Sequence, residues 1–348
     1  MRIAILFWFL LASIAWAQTG QEVLKEEVQD WSEWAAGEAR LPGYALAIVK
    51  DGKPIVMKAF GKADCEKGTE FTVNTAIPLG STGTLFNAIV ALQMVERGEL
   101  KLDGLVECLR PKAVTLRHIL GQASGLEEFA AADKFDPGAP QKFDDLVDSA
   151  LARSVTAGEI FTDTDSNWLV LKHEIERASG KKLDELLQSR IITPLKLPNA
   201  NPLNSTKAKS YFVEENIRSL ALMEHESLKS LKGFQMVASL ADFVKFDQAV
   251  NAGQLLKKET WALASTPVKL KNGESEFGLG FDVTPFMEDL KWFGRAGGID
   301  GFVSSYIRVP SKKLGIIFLG NAGQVDPILA AKIVLEFYLA DEDLRANG

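Results

Sequence analysis

Two pairs of β-rich segments stand near opposite ends of the chain, and a mainly helical stretch separates them. Residues 44–50 and 54–60 flank an Asp-Gly dipeptide, which is typical of a tight hairpin. Residues 301–308 and 314–319 flank a Pro-Ser-Lys-Lys turn in the same manner. The arrangement predicts one antiparallel sheet built from both ends of the chain, with a helical lobe inserted between them.

Apolar residues at helical spacing predict where three helices end. The helix that follows Ser81 ends at Gly98, and a second helix, which begins near Trp168, ends at Gly180. A final helix is predicted over residues 327–339, followed by a charged tail that we expect to be frayed.

The N-terminus predicts an exported protein. Arg2 precedes an apolar run over residues 3–17 that ends in Ala-Trp-Ala. A basic start, a short apolar stretch and a small-x-small cleavage site are typical of a signal peptide. The run is shorter than the ~20 residues of a membrane-spanning helix. We therefore expect residues 1–17 to be removed, leaving residues 18–348 as one secreted or periplasmic domain with no membrane span.

Composition excludes some classes of partner but does not decide whether the two cysteines form a disulfide. Hydrophobic residues make up 47% of the chain, which is ordinary for a packed globular protein, and the net charge is −7. An acidic protein is not attracted to nucleic acid or to an anionic membrane. Cys65 and Cys108 either form one disulfide or remain two buried thiols. The spacing of the cysteines and histidines matches no zinc motif, so we expect no metal and no cofactor.

Five segments, in order along the chain, resemble one known superfamily. They are GYALAIVKDGKPIVMKAFGKAD, LGSTGTLFNAIVALQMVERGELKLDGLV, VTLRHILGQASGL, LVLKHEIERASGKKLDELLQSRIITPLKL and FGRAGGIDGFVSSYIRVPSKKLGIIFLGN. They resemble the serine β-lactamase and penicillin-binding-protein superfamily, in particular its class C β-lactamase, esterase and D-aminopeptidase branch. The resemblance implies an α/β (α+β) fold. It places a sheet subdomain at residues 22–80 and 275–348 and a helical lobe at 81–274.

The resemblance places Ser81 at the position of the nucleophile. The superfamily pairs this serine with a lysine three residues later, on the same face of a helix. Here Thr84 stands at the lysine position. A serine hydroxyl is a poor nucleophile near neutral pH without an adjacent base, and threonine cannot act as one.

The second and third motifs are altered as well. Asp163 stands at the tyrosine position and Asp165 at the asparagine position of the Tyr-x-Asn motif. Arg295 replaces the lysine or histidine of the third motif, in which Gly297 is retained. Arginine remains protonated and does not shuttle protons. The proton-transfer side chains of the superfamily are therefore absent, as is the histidine that Gln122 replaces.

The two aspartates allow other interpretations. A carboxylate could accept the Ser81 proton, although an adjacent arginine would lower its pKa and make it a weaker base. The spacing Asp163-x-Asp165-x-Asn167, with Glu174 at position twelve, resembles a calcium loop, but Trp168 occupies the position that needs glycine. We expect the aspartates to be solvated or to face Arg295. The resemblance implies that residues 127–159 help to wall the pocket, and a surface loop with short helices is the alternative.

These observations favour a catalytically impaired, exported member of the superfamily that binds a ligand or partner in its cleft. A small molecule, a peptidoglycan-like fragment or another exported protein would fit this expectation. One alternative is an active but non-standard, esterase-like hydrolase that uses Ser81. Another is a structural or interaction protein whose cleft is unused, with Ser81 merely starting a helix.

Overall fold

A computed structural model describes most of the chain after residue 40. The described residues are 41–110, 112–129, 142–152, 154–202, 206, 208–213, 220–222, 236–271, 273–283, 285–287 and 290–347. The predicted signal peptide lies outside them. Within these residues, no helix has both the length and the apolar character needed to cross a bilayer.

Fourteen strands occur among the described residues, and most of those in the middle of the chain are two or three residues long. In chain order they are β1 Gly43–Lys50, β2 Lys53–Asp64, β3 Thr69–Glu70, β4 Ile77–Pro78, β5 Tyr211–Val213, β6 Leu220–Leu222, β7 Val237–Ala238, β8 Lys269–Leu270, β9 Gly273–Glu274, β10 Pro285–Met287, β11 Leu290–Lys291, β12 Phe293–Ile299, β13 Phe302–Val309 and β14 Leu314–Gly320.

The main sheet has six strands in the order β12-β13-β14-β1-β2-β3. Strand β1 pairs antiparallel with β2 on one side, as the Asp-Gly turn predicts, and with β14 on the other, where Tyr44 lies opposite Gly320. The two ends of the chain therefore build one sheet, and the predicted antiparallel α/β fold is confirmed.

Nine α-helices lie in the described part of the chain. They are α1 Thr84–Glu96, α2 Leu116–Leu120, α3 Phe143–Ala152, α4 Asp165–Ser179, α5 Leu183–Leu187, α6 Thr193–Leu195, α7 Leu240–Asn251, α8 Lys258–Ala264 and α9 Pro327–Asn347. Gly98 and Gly180 adopt the positive φ expected just after helices α1 and α4. The prediction for the last helix was wrong at its end, because α9 continues through the charged tail to Asn347.

Helices cover both faces of the main sheet. Helix α7 packs against β1 and β14 on one face, and α9 packs against β13 and β14 on the other. Seven of the eight residues of β1 are buried, as expected for a strand with apolar packing on both sides. Helix α1 is buried from Thr84 to Met94 and lies at the centre of the larger apolar core. Ser81, which immediately precedes this helix, is thereby placed on a rigid support.

The two cysteines are free thiols. Of the two states that the sequence allows, the structure therefore has the thiols rather than the disulfide. Trp292 and Phe293, which precede Arg295, are each 5% exposed and belong to the core.

Candidate functional site

Ser81 lies in a short 3-10 turn, Gly80–Gly83, that leads directly into helix α1. Hydrogen bonds attach this turn to strand β13. The Thr82 hydroxyl donates to the carbonyl of Ser304 (3.1 Å), and the Ser304 hydroxyl donates to the carbonyl of Leu79 (2.7 Å). The position of Ser81 is therefore set by the sheet as well as by the helix.

Two glycines allow the turn to pack this closely. A Cβ atom added to Gly297 on β12 would lie 2.4 Å from the Ser81 nitrogen and 2.6 Å from the Thr82 nitrogen. A Cβ atom on Gly83 would lie 2.9 Å from the Met236 nitrogen. Both contacts are with main-chain atoms that cannot easily move away. Glycine disfavours helix formation, and its presence at position 83 is explained by this close approach between two backbones.

Ser81 does not cap helix α1. No side-chain cap hydrogen bond is made at the start of either the 3-10 turn or the helix, so Ser81 lies in the turn that leads into the helix without capping it. The Thr84 hydroxyl instead donates to the Ser81 carbonyl (2.7 Å), and Thr84 is 2% exposed. In the described part of the chain, no hydrogen bond joins the Ser81 hydroxyl to another side chain. Ser81 itself is partly exposed.

Arg295, on β12, joins the turn to the helical lobe. Its side chain is 3% exposed, and its Nη2 donates to both carboxylate oxygens of Asp163 at 2.7 and 2.8 Å. Its Nε donates to the Ser81 carbonyl (3.3 Å). The guanidinium carbon lies 4.9 Å from the centre of the Phe277 ring and 5.7 Å from that of Trp168. Aromatic faces stabilise such a cation, and the ion pair fixes its direction.

Asp282 is a second acidic partner of Arg295, and it was not predicted from the sequence. Its carboxylate lies 3.5 Å from Nη1 of Arg295, and its main chain pairs with Gly294 at the start of β12. Burial raises the pKa of Asp282 to about 6, against the lowering effect of the Arg295 charge. No motif identifies Asp282 in the sequence, because only the bridge to β12 brings it to this site.

Gln122 holds the segment that carries Asp163. Its main-chain carbonyl accepts a hydrogen bond from the Thr162 N–H (2.8 Å), and its side-chain oxygen accepts one from the Thr164 N–H (3.1 Å). The Asn167 side-chain amide donates to the same oxygen (2.7 Å). Gln122 is fully buried and has a positive φ of 53°, which is uncommon for a residue with a side chain. These bonds on either side of Asp163 position its carboxylate toward Arg295.

Asp165 begins helix α4 next to another carboxylate, Glu128. The Glu128 carboxylate accepts from the Asp165 N–H and from the Thr164 hydroxyl, both at 2.8 Å. Burial, followed by the charges of Glu128 and Asp163, raises the pKa of Asp165 to about 7. Glu128 belongs to the segment expected to wall the pocket, and it does lie beside the second motif. Residues 130–141 of that segment lie outside the described residues.

The calcium-loop spacing does not form a loop. Helix α4 starts at Asp165 and carries Glu174 more than two turns away, where Arg177 donates to its carboxylate at 2.7 and 3.2 Å. Asn167 donates a hydrogen bond to Gln122. Asp163 faces Arg295, which is one of the two arrangements expected for the aspartates. The oxygen atoms of the pattern therefore do not converge on one point.

The site thus combines a partly exposed serine with a neutralised arginine and several carboxylates. Ser81, Asp163 and Arg295 lie in one hydrogen-bonded group, Thr84 bonds to the Ser81 carbonyl, and Asp165 lies beside Asp163. An ionised carboxylate is the proton acceptor that this set offers, since threonine and arginine provide none.

Known proteins share this architecture. A family model described as beta-lactamase matches residues 21–338. A D-aminopeptidase of Brucella anthropi is 24% identical in an alignment that covers 82% of this chain and 58% of the aminopeptidase. A beta-lactamase of Escherichia coli is 23% identical in an alignment that covers 83% of this chain and 86% of that beta-lactamase. The structure of an octameric penicillin-binding protein homologue from Pyrococcus abyssi superimposes with a TM-score of 0.80 at 22% identity, over 90% of this chain and 77% of that one.

The family match extends over nearly the whole chain, and it includes the Ser81 turn, the second motif and strand β12. The superfamily expected from the five sequence segments is therefore confirmed. This chain belongs to the beta-lactamase family of serine hydrolases and penicillin-binding-protein relatives.

Proposed function

We propose that this chain is an exported, catalytically impaired member of the family that binds a ligand in the cleft beside Ser81. The observation that carries the proposal is the bidentate pair between Asp163 and the nearly buried Arg295. In the resembled superfamily, a tyrosine and a lysine or histidine at these positions move protons. A carboxylate and a guanidinium in a fixed ion pair have little capacity to do so. Export rests on the predicted signal peptide of residues 1–17.

The charge around the site favours a ligand with a positive group. Within the described part of the chain, Asp163 and Asp282 both lie against the Arg295 guanidinium, so this cation is already paired, and Asp165 lies beside Asp163. A ligand carboxylate would therefore meet more negative than positive charge, whereas an ammonium group would be attracted. Phe161, which is 40% exposed and lies 5.5 Å from the Phe277 ring, offers an apolar surface close by. A small amide with a free amino group and an aromatic side chain fits this combination.

Acylation of Ser81 tests the loss of catalysis. The mature protein is incubated with a fluorophosphonate or with β-lactams, and its intact mass is measured beside a Ser81→Ala control. We expect no adduct that depends on Ser81 and no turnover of p-nitrophenyl esters. A Ser81-dependent adduct would overturn the proposal. The triple variant Thr84→Lys, Asp163→Tyr, Arg295→His restores the superfamily residues and should gain acylation if these positions correspond.

Ligand binding is tested with a matched pair of probes. Phenylalanine amide carries a free ammonium group, and N-acetyl-phenylalanine amide does not. One ion-pair interaction at a partly exposed site is worth about 1 kcal/mol, or about fivefold in affinity. Titration calorimetry should therefore show at least that preference for the free amine. Equal binding of the two probes, or no binding of either, would contradict the ligand class.

A non-standard hydrolase is the second candidate, and the pKa of Asp165 favours it. A carboxyl that titrates at about 7 has the proton affinity of a general base working near neutral pH. The two candidates differ in the acylation experiment. A Ser81 adduct that forms in the native protein and is lost in an Asp165→Asn variant would support the hydrolase.

A further inference from the structure

A second group of reactive side chains lies away from Ser81. Cys108 lies on the 3-10 turn Glu107–Leu109, and His173 and Glu174 lie on helix α4. One ligand atom from each of the three residues lies within 4.8 Å of those of the other two. His173 is eight residues along the helix from Asp165, which corresponds to about 12 Å. The cluster is thus separate from the candidate site.

Neighbouring residues hold two of these side chains, His173 and Glu174, in place. The His173 ring stacks on the Phe143 ring, with centroids 4.1 Å apart and an interplanar angle of 7°. Arg177 donates three hydrogen bonds to the two oxygens of the Glu174 carboxylate, whose side chain is 4% exposed. In metal sites, such outer partners orient the ligands and are part of the design.

The charges around the cluster favour a cation. A nearly buried carboxylate beside a thiol and an imidazole is costly unless positive charge balances it. Arg177 pairs with the Glu174 carboxylate, so the charge left for a bound cation to balance is that of the Cys108 thiolate that metal binding creates.

We propose that Cys108, His173 and Glu174 bind one zinc-type divalent cation, with water as the fourth ligand. Thiolate, imidazole and carboxylate are the ligands that zinc takes in proteins, and three protein ligands leave one position open. Tetrahedral ligands at zinc bond lengths lie about 3.5 Å apart, so the atoms move together by about 1 Å on binding. The Cys108 S–H bond breaks as the sulfur–metal bond forms, and one proton is released to solvent.

The site was not predicted from the sequence, because Cys108 and His173 are far apart along the chain and match no spacing motif. Nothing in this proposal depends on the function proposed for Ser81. The chain also supplies a matched control, since Cys65 is the other free thiol and is likewise half-buried.

Cobalt titration of the reduced, metal-free protein tests the site. We expect one Co²⁺ per chain, a thiolate-to-cobalt charge-transfer band in the near ultraviolet, and displacement by zinc. The band should disappear in Cys108→Ser and persist in Cys65→Ser. Loss of an outer partner alone weakens metal sites about 10- to 100-fold, so His173→Gln should weaken binding by at least that factor. No band, or a band that survives Cys108→Ser, would overturn the proposal.

A second measurement needs no variant. Iodoacetamide labelling followed by peptide mass mapping reports each thiol separately in the native protein. Zinc should slow the labelling of Cys108 by more than about tenfold while leaving Cys65 unaffected. Equal protection of both thiols, or of neither, would refute the site even if the Cys108→Ser variant fails to fold.

Discussion

Replacing Asp165 by asparagine removes a carboxyl whose pKa the fold raises from 3.8 to about 7, mainly by burial. Between these two values the folded protein keeps a proton that the unfolded chain has released. The native state therefore binds more protons there, and the free energy of unfolding falls as the pH rises from about 4 to about 7. Asparagine does not ionise, so the variant escapes this loss.

The magnitude follows from the shift. Each pH unit in this window corresponds to about 1.4 kcal/mol, and the whole shift to about 4 kcal/mol. Partial exposure of the side chain reduces the expected gain to about 2–3 kcal/mol. The Asp165→Asn variant should therefore be more stable than the native protein by that amount at pH 8.5, and equally stable near pH 4.

Urea unfolding followed by tryptophan fluorescence at these two pH values measures the effect. Asp282, whose pKa is also raised, affects both proteins alike, so the difference between them isolates Asp165. Asp163→Asn is the matched control, because it breaks the pair with Arg295 and should destabilise the protein. A gain that is absent at pH 8.5, or the same at both pH values, would refute the assignment of the raised pKa to Asp165.

Three further predictions concern the supports of the site. Gly297→Ala should lower the free energy of unfolding by about 3 kcal/mol, because the added Cβ atom would lie 2.4 Å from the Ser81 nitrogen. Gly298→Ala is the control: its nearest contact is at 3.4 Å, so it should cost less than about 1 kcal/mol in the same urea experiment. Arg295→Gln should lower the free energy of unfolding by about 3–5 kcal/mol. A double-mutant cycle with Asp163→Asn should give a coupling energy between the two side chains of at least about 1 kcal/mol, and strictly additive effects would show that the ion pair contributes nothing to stability. Ser239→Ala should raise the rate of hydrogen exchange at the start of helix α7 and cost about 1 kcal/mol, since the Ser239 hydroxyl caps that helix; unchanged exchange there would contradict the capping role.

The sequence predicted those parts of the fold that depend on local pattern. The Asp-Gly hairpin, the glycines after α1 and α4, and the strands at both ends of the chain could be read from turn chemistry and apolar spacing. The resemblance then placed Ser81, Asp163 and Arg295 in one site, and the structure brings these three together.

Other members of the site depend on contacts between distant segments. Asp282 reaches Arg295 because its main chain bridges to β12, and Glu128 reaches Asp165 because its loop folds onto the start of α4. No periodicity or motif marks either residue. The raised pKa of Asp165 depends on burial and on neighbouring charges, so the sequence could not supply it either. Local chemistry was thus predictable, whereas electrostatic context was not.

The pairing of β1 with β14 has a consequence for how the chain folds. Tyr44 and Gly320 come together only after the chain has been made as far as Gly320, so until then the β1–β2 hairpin has an unpaired edge. Contacts of such long sequence separation slow folding, and an open apolar edge invites association with other chains. Truncation before Leu314 should therefore leave an aggregating fragment rather than a smaller folded domain, with the last strand acting as the step that commits the chain to its native state.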